Sequence, residues 1–77
     1  MNDVLGTVQK AFHAAFGTDP ELVTMNTGPD DIEAWDSMGH VALVASLESS
    51  FGVSFDVDDL MEMENVHEIV RVVKSKM

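Results

Sequence analysis

Three runs of apolar residues at helical spacing, interrupted by one long irregular stretch that holds both prolines, constrain this chain more than any other feature of its sequence. Val4, Leu5, Val8, Phe12, Ala15 and Phe16 share a stripe, and Gln9, Lys10 and His13 fall off it, so a first helix is expected at about residues 3–16. Asn2 or Asp3 can cap its start, and Gly17 stands where a C-terminal cap belongs. Residues 17–36 contain Pro20, Pro29 and the turn signal Asn26-Thr27-Gly28-Pro29. A connection of this length without structure of its own is uncommon and often functional. Leu22, Val23, Met25, Ile32 and Trp35 are candidates to pin it onto the helices, and Pro29-Asp30-Asp31-Ile32 can make one helical turn with proline at its first position.

A second helix is expected from Ser37 to Phe51, with Val41, Val44, Leu47 and Phe51 on one face and Leu43 beside it. Asp36 or Ser37 can cap it, because each offers an oxygen to free backbone N–H groups, and Gly52 closes it. Glu48 is its only charge after the cap. Val53-Ser54-Phe55 alternates like a strand but has no partner nearby, so it reads as a connector whose Val53 and Phe55 plug the core. Asp56-Val57-Asp58-Asp59-Leu60-Met61 predicts a short acidic helix. The last helix opens on a capping box, Asn65 with Glu68 three residues on, and buries Val66, Ile69, Val70 and Val73. Arg71, Lys74 and Lys76 crowd its last turns, where cations favour the helix dipole. The expected fold class is therefore all-α: three main helices plus one short helix, with a long first loop, in one domain spanning residues 1–77.

Composition narrows the function. There is no Cys, which excludes disulfides, thiolate metal sites and a cysteine nucleophile. Four Lys and Arg against 14 Asp and Glu give a net charge of -10, so nucleic acid and anionic membranes are poor partners, and partners with basic docking patches are favoured. No apolar run approaches the roughly 20 residues of a membrane span, and the start Met1-Asn2-Asp3 is not that of a signal peptide, so a cytoplasmic protein is expected.

Candidate chemistry converges on Trp35-Asp36-Ser37-Met38-Gly39-His40-Val41. A serine at a helix N-terminus after a long loop can be a plain cap, or it can carry a phosphate that the free N–H groups and the helix dipole favour. A catalytic set of Asp36, Ser37 and His40 is disfavoured: there is no nucleophile elbow, no evident oxyanion hole and little room for a cleft. His40 is expected on the helix surface beside Ser37. His13, His40 and His67 lack metal-ligand spacing, and Asp56-Val57-Asp58-Asp59 departs from a calcium loop by carrying Met61 at the glycine position, so no metal site is expected.

Asp36-Ser37-Met38, followed by Val41, Leu43, Val44, Leu47, Glu48 and Phe51-Gly52, and then by Phe55, Leu60 and Asn65-Val66-His67-Glu68-Ile69, resembles the acyl carrier proteins of the phosphopantetheine-attachment family. The resemblance covers nearly the whole chain. It implies a four-helix bundle of acyl-carrier type with no catalysis of its own. Ser37 would be the attachment site of 4'-phosphopantetheine, delivered from coenzyme A by a phosphopantetheinyl transferase. The arm would hold acyl intermediates as thioesters for acyl-loading and acyl-processing enzymes. By the same resemblance Asp36, Met38 and Glu48 contact partners, Met38 is partly exposed, and Val41, Val44 and Leu47 line a pocket for the acyl chain. A monomer is expected.

The chain departs from the carriers of fatty-acid synthesis, which usually place an acid directly after the motif and several more along the second helix. Those places hold Gly39, Ala42, Ser49 and Ser50, with Glu48 alone retained. Docking by this helix should then rely less on salt bridges and more on apolar contact. That favours a dedicated carrier in a specialised lipid, polyketide or polysaccharide-linked pathway over a housekeeping one. An aminoacyl carrier and an unmodified acidic helical interaction module are the alternatives.

Overall fold

The computed structural model describes residues 3–77. Four α-helices follow one another, α1 (Val4–Phe16), α2 (Ser37–Phe51), α3 (Val57–Glu62) and α4 (Val66–Lys76). Two single 3-10 turns, Pro20–Leu22 and Pro29–Asp31, break up the long connection between α1 and α2. The described residues contain no strand, in keeping with the all-α expectation.

The helix ends follow local chemistry. Asp3 caps α1 by accepting from the Gly6 N–H, and the alternative cap Asn2 lies outside the described residues. Gly17 and Gly52 end α1 and α2 at φ 69° and 66°, a left-handed conformation that glycine adopts without strain. At α3 the carboxylates of Asp56 and Asp59 each accept the other's backbone N–H, a reciprocal capping box absent from the sequence expectations. The box expected at α4 forms only by half. Asn65 accepts from the Glu68 N–H at 2.9 Å. The Glu68 carboxylate turns away to His67 and to the Arg71 guanidinium at 2.8 Å. Those two partners, His67 first, hold its carboxyl below the ordinary range.

The core is built from one stripe of each long helix and from the connection. α1 gives Val8, Ala11 and Phe12, α2 gives Leu43, Val44 and Leu47, and α4 gives Val66, Ile69, Val70, Val72 and Val73. Val23, Ile32 and Trp35 of the connection are buried with them. Met25 is half-buried against this cluster, whereas Leu22 is exposed and outside it. The connector Val53-Ser54-Phe55 plugs the core through Phe55, and Val53 is half-buried without joining the cluster.

Polar bonds fix the connection in place. Gln9 on α1 donates to the Val23 carbonyl at 2.8 Å, and the Val66 N–H at the start of α4 donates to the Thr27 carbonyl at 2.9 Å. The long connection is thereby moored to both the first and the last helix, and its C-terminal end delivers Trp35 to the first turn of α2.

Candidate functional site

Ser37 is the first residue of α2 and is exposed. The helix is capped by Asp36, whose Oδ1 accepts from the Gly39 N–H at 2.8 Å. The cap is thus the aspartate, one of the two residues the sequence allows, and the serine hydroxyl is not needed for it. The first N–H groups of a helix have no partner within it, so the hydroxyl stands where a phosphoester anion would be favoured.

Gly39, directly after Asp36-Ser37-Met38, is held to glycine by its surroundings. A Cβ added there would collide with the Ala34 carbonyl oxygen and press on Phe16. The backbone of the loop passes too close for any side chain. What reads in sequence as a missing docking charge is a packing requirement.

His40 overturns the expectation of a surface residue beside Ser37. It is half-buried, and both ring nitrogens are engaged. The Trp35 indole Nε1–H donates to His40 Nδ1 at 2.8 Å. An indole nitrogen can only donate, so Nδ1 carries no proton and Nε2 does. Nε2–H then donates to the Leu60 carbonyl of α3 at 2.9 Å. Trp35 in turn packs edge-on against Phe12 of α1, with ring centroids 5.0 Å apart. The imidazole was absorbed by the fold because the long connection brings an indole beside it and α3 brings a carbonyl.

The apolar residues of α2 divide into two sets. Met38 is 86% exposed and Val41 61% exposed, while Val44 and Leu47 are buried. The expected common pocket of Val41, Val44 and Leu47 is therefore split. Val41 faces an open groove of ≈ 630 Å³ that Ser37, Trp35, His40, Leu60 and Met63 also line, and whose lining includes neither Val44 nor Leu47. The physical reason is helical phase: Leu43 replaces Val41 on the inward stripe, as Leu43, Val44 and Leu47 are the buried set. Val57 and Met61 of α3, both 71% exposed, form the opposite wall.

Glu48, expected to meet partners, is half-buried and accepts from the Phe55 N–H through Oε2 at 2.8 Å. It holds the connector between α2 and α3. The acidic groups around the groove are instead Asp36 and Glu64. Among the described residues no cluster of His, Asp and Glu is arranged to hold a metal ion, and no helix is long and apolar enough to cross a membrane.

The family model for the phosphopantetheine attachment site matches residues 6–73. The chain is 30% identical over 77 residues to the non-reducing polyketide synthase pkdA of Emericella nidulans, covering 99% of this chain and 3% of that protein. It is 42% identical over 40 residues to an acyl carrier protein homolog of Mycoplasma genitalium, covering 52% of this chain and 48% of the other. The chain thus spans a small fraction of the first relative and about half of the second. Among solved structures, that of the holo acyl carrier protein from Geobacter metallireducens superimposes with a TM-score of 0.83 at 32% identity, over 95% of this chain and 84% of that one.

Proposed function

Because the chain belongs to the phosphopantetheine-attachment family of acyl carrier proteins, we propose that Ser37 is its attachment residue and that it shuttles acyl groups between partner enzymes without catalysing a step itself. The observation that carries this reading is an exposed serine hydroxyl at the head of α2, freed from capping by Asp36 and set at the rim of an apolar groove. When attached, the arm supplies a thiol for holding acyl groups, chemistry that a chain without Cys cannot supply.

The chain's own residues suit that role. The head of α2 favours the phosphodiester anion through its unpaired N–H groups and dipole. Met38 and Val41 on α2, with Val57 and Met61 on α3, give the surface around Ser37 an apolar character that the fold does not consume. Exposed apolar side chains rimmed by carboxylates fit partner enzymes with a small apolar contact inside a basic rim. In this reading Asp36 and Met38 meet the partner, together with Glu64, and Glu48 contributes through the connector it holds. The transferase that loads Ser37 and the enzymes that charge and unload the arm would dock on the same face. The sparse charge of α2 favours a specialised pathway, polyketide-like or otherwise, over housekeeping fatty-acid synthesis.

The test is intact mass after incubation with coenzyme A, magnesium and a promiscuous phosphopantetheinyl transferase. A gain of one phosphopantetheinyl group in the natural chain and none in Ser37→Ala is expected. No gain with several transferases, or an equal gain in Ser37→Ala, would overturn the assignment.

A further inference from the structure

We propose that His40 is a positioning residue of this site: as a neutral imidazole it clasps α3 to the first turn of α2 and so sets the wall of the groove beside Ser37. The clasp is a continuous chain. Phe12 of α1 supports Trp35 edge-on, Trp35 donates to His40 Nδ1, and His40 Nε2–H donates to the Leu60 carbonyl. The two rings lie 12° from parallel with centroids 6.2 Å apart, so the indole N–H and the imidazole lone pair can meet nearly in one plane. The acceptor lies near the end of α3, and the Met63 N–H shares it at 3.3 Å. α3 has only six residues and buries none of them fully. A helix that short is marginal without tertiary support, so a bond to its last turn has a large influence on where it sits.

Protonation breaks the chain at a defined point. An imidazolium presents N–H groups on both sides, so the indole N–H would face a second donor instead of a lone pair. His40 must then leave Trp35, and although Nε2–H can still donate to Leu60, the ring that holds this carbonyl loses its own support on the core. The charged residues that line the groove with His40 are Asp36 at the cap of α2 and Glu64 after α3, while Trp35, Leu60, Val57 and Met61 are uncharged. From α1, Phe12 is the residue that touches Trp35 behind the ring. Other contacts of α3 do not depend on His40. Asp59 pairs with Lys76 of α4 at 2.7 Å, which lowers its carboxyl below the ordinary aspartate value.

The groove wall formed by Leu60, Val57 and Met61 is what His40 positions. That this wall shields a cargo on Ser37 rests on the carrier function proposed above, whereas the clasp itself belongs to the unmodified chain. The two are therefore tested apart.

The first experiment is long-range proton–nitrogen NMR on the unmodified protein. His40 should show the Nε2–H tautomer with unprotonated Nδ1 at neutral pH. The Trp35 indole proton, from the chain's one Trp, should shift when acid protonates His40. His13 and His67, both exposed, serve as internal controls. In His40→Gln and His40→Phe the indole signal should lose its pH step, and amide signals of residues 57–62 should move while those of α4 stay. A protonated Nδ1 at neutral pH, or an indole signal indifferent to pH and to both substitutions, would overturn the clasp.

The second experiment loads an octanoyl group as the probe and follows its release by hydroxylamine at neutral pH. His40→Phe should release it about threefold or more faster than the natural chain, with His40→Gln in between because it can still donate to Leu60. Equal rates would overturn the positioning role. Failure of the natural chain to accept the arm at all would instead overturn the Ser37 assignment, leaving the NMR result for the clasp standing.

Discussion

α2 gives three buried residues to the core and the shorter α4 gives five, and the two helices are built differently. α4 is two-faced: five valine and isoleucine side chains point inward, and Arg71, Lys74 and Lys76 stay outside. Its polar groups bind within the fold, Arg71 to Glu68 and Glu62, and Lys76 to Asp59. α2 buries Leu43, Val44 and Leu47 but also exposes Met38 and Val41, so its apolar residues run around the cylinder. A scaffold helix spends its apolar residues inward. A helix that also presents a surface to other molecules keeps some outside, where the fold gains little from them.

That contrast can be broken most sharply in the buried stripe. Ile69→Ala should cost about 2–5 kcal/mol in urea unfolding, because Ile69 is fully enclosed, while Val41→Ala should stay within about 0.5 kcal/mol. Comparable losses at the two positions would mean that Val41 is structural after all. Next in size is Gly39→Ala. The collision with the Ala34 carbonyl should cost about 1–3 kcal/mol although alanine is the better helix former, so a rise in melting temperature would refute the close approach.

The two neighbouring residues at the head of α2 separate capping from function. Asp36→Ala should lose about 1 kcal/mol, and Ser37→Ala should lose close to nothing measurable by thermal unfolding. A reversal of that order would return the serine to the cap. The smallest effect concerns acid. Lys76 beside it, with the Asp56 backbone, lowers the Asp59 carboxyl below its ordinary value in the folded chain. Its contribution is therefore present above the unfolded value and is lost as pH falls through the lower, folded one. In Asp59→Asn the fall in stability below about pH 4 should be shallower than in the natural chain. An unchanged acid limb would show that the ion pair between α3 and α4 carries no weight.

Much of this was readable from the residues alone. The bounds of α2, the left-handed glycines at 17 and 52, the acidic short helix and the inward stripe of α4 all follow from caps and spacing within a few residues of one another. So does the position of Ser37 at a helix head, because the motif and the cap are adjacent in the chain. The misread residues share another property, that their partners are remote in sequence or depend on the path of the long connection. His40 meets a carbonyl 20 residues on, Glu48 meets an amide seven residues on, and Gly39 meets the backbone of a loop arriving from α1. A polar side chain on a helix reads as exposed until something folds over it. Periodicity placed Val41 on the inward face, but helical phase depends on where the neighbouring helices sit.

Local hydrogen bonding and hydrophobic spacing thus determined, from sequence, which segments are helical, where they begin and which serine leads the second. Only the tertiary structure decided which of the residues around that serine are free to meet another molecule and which are held by the fold. Capping and periodicity act over one or two turns, whereas the occupation of a lone pair or the filling of a space depends on groups that only the folded chain brings together.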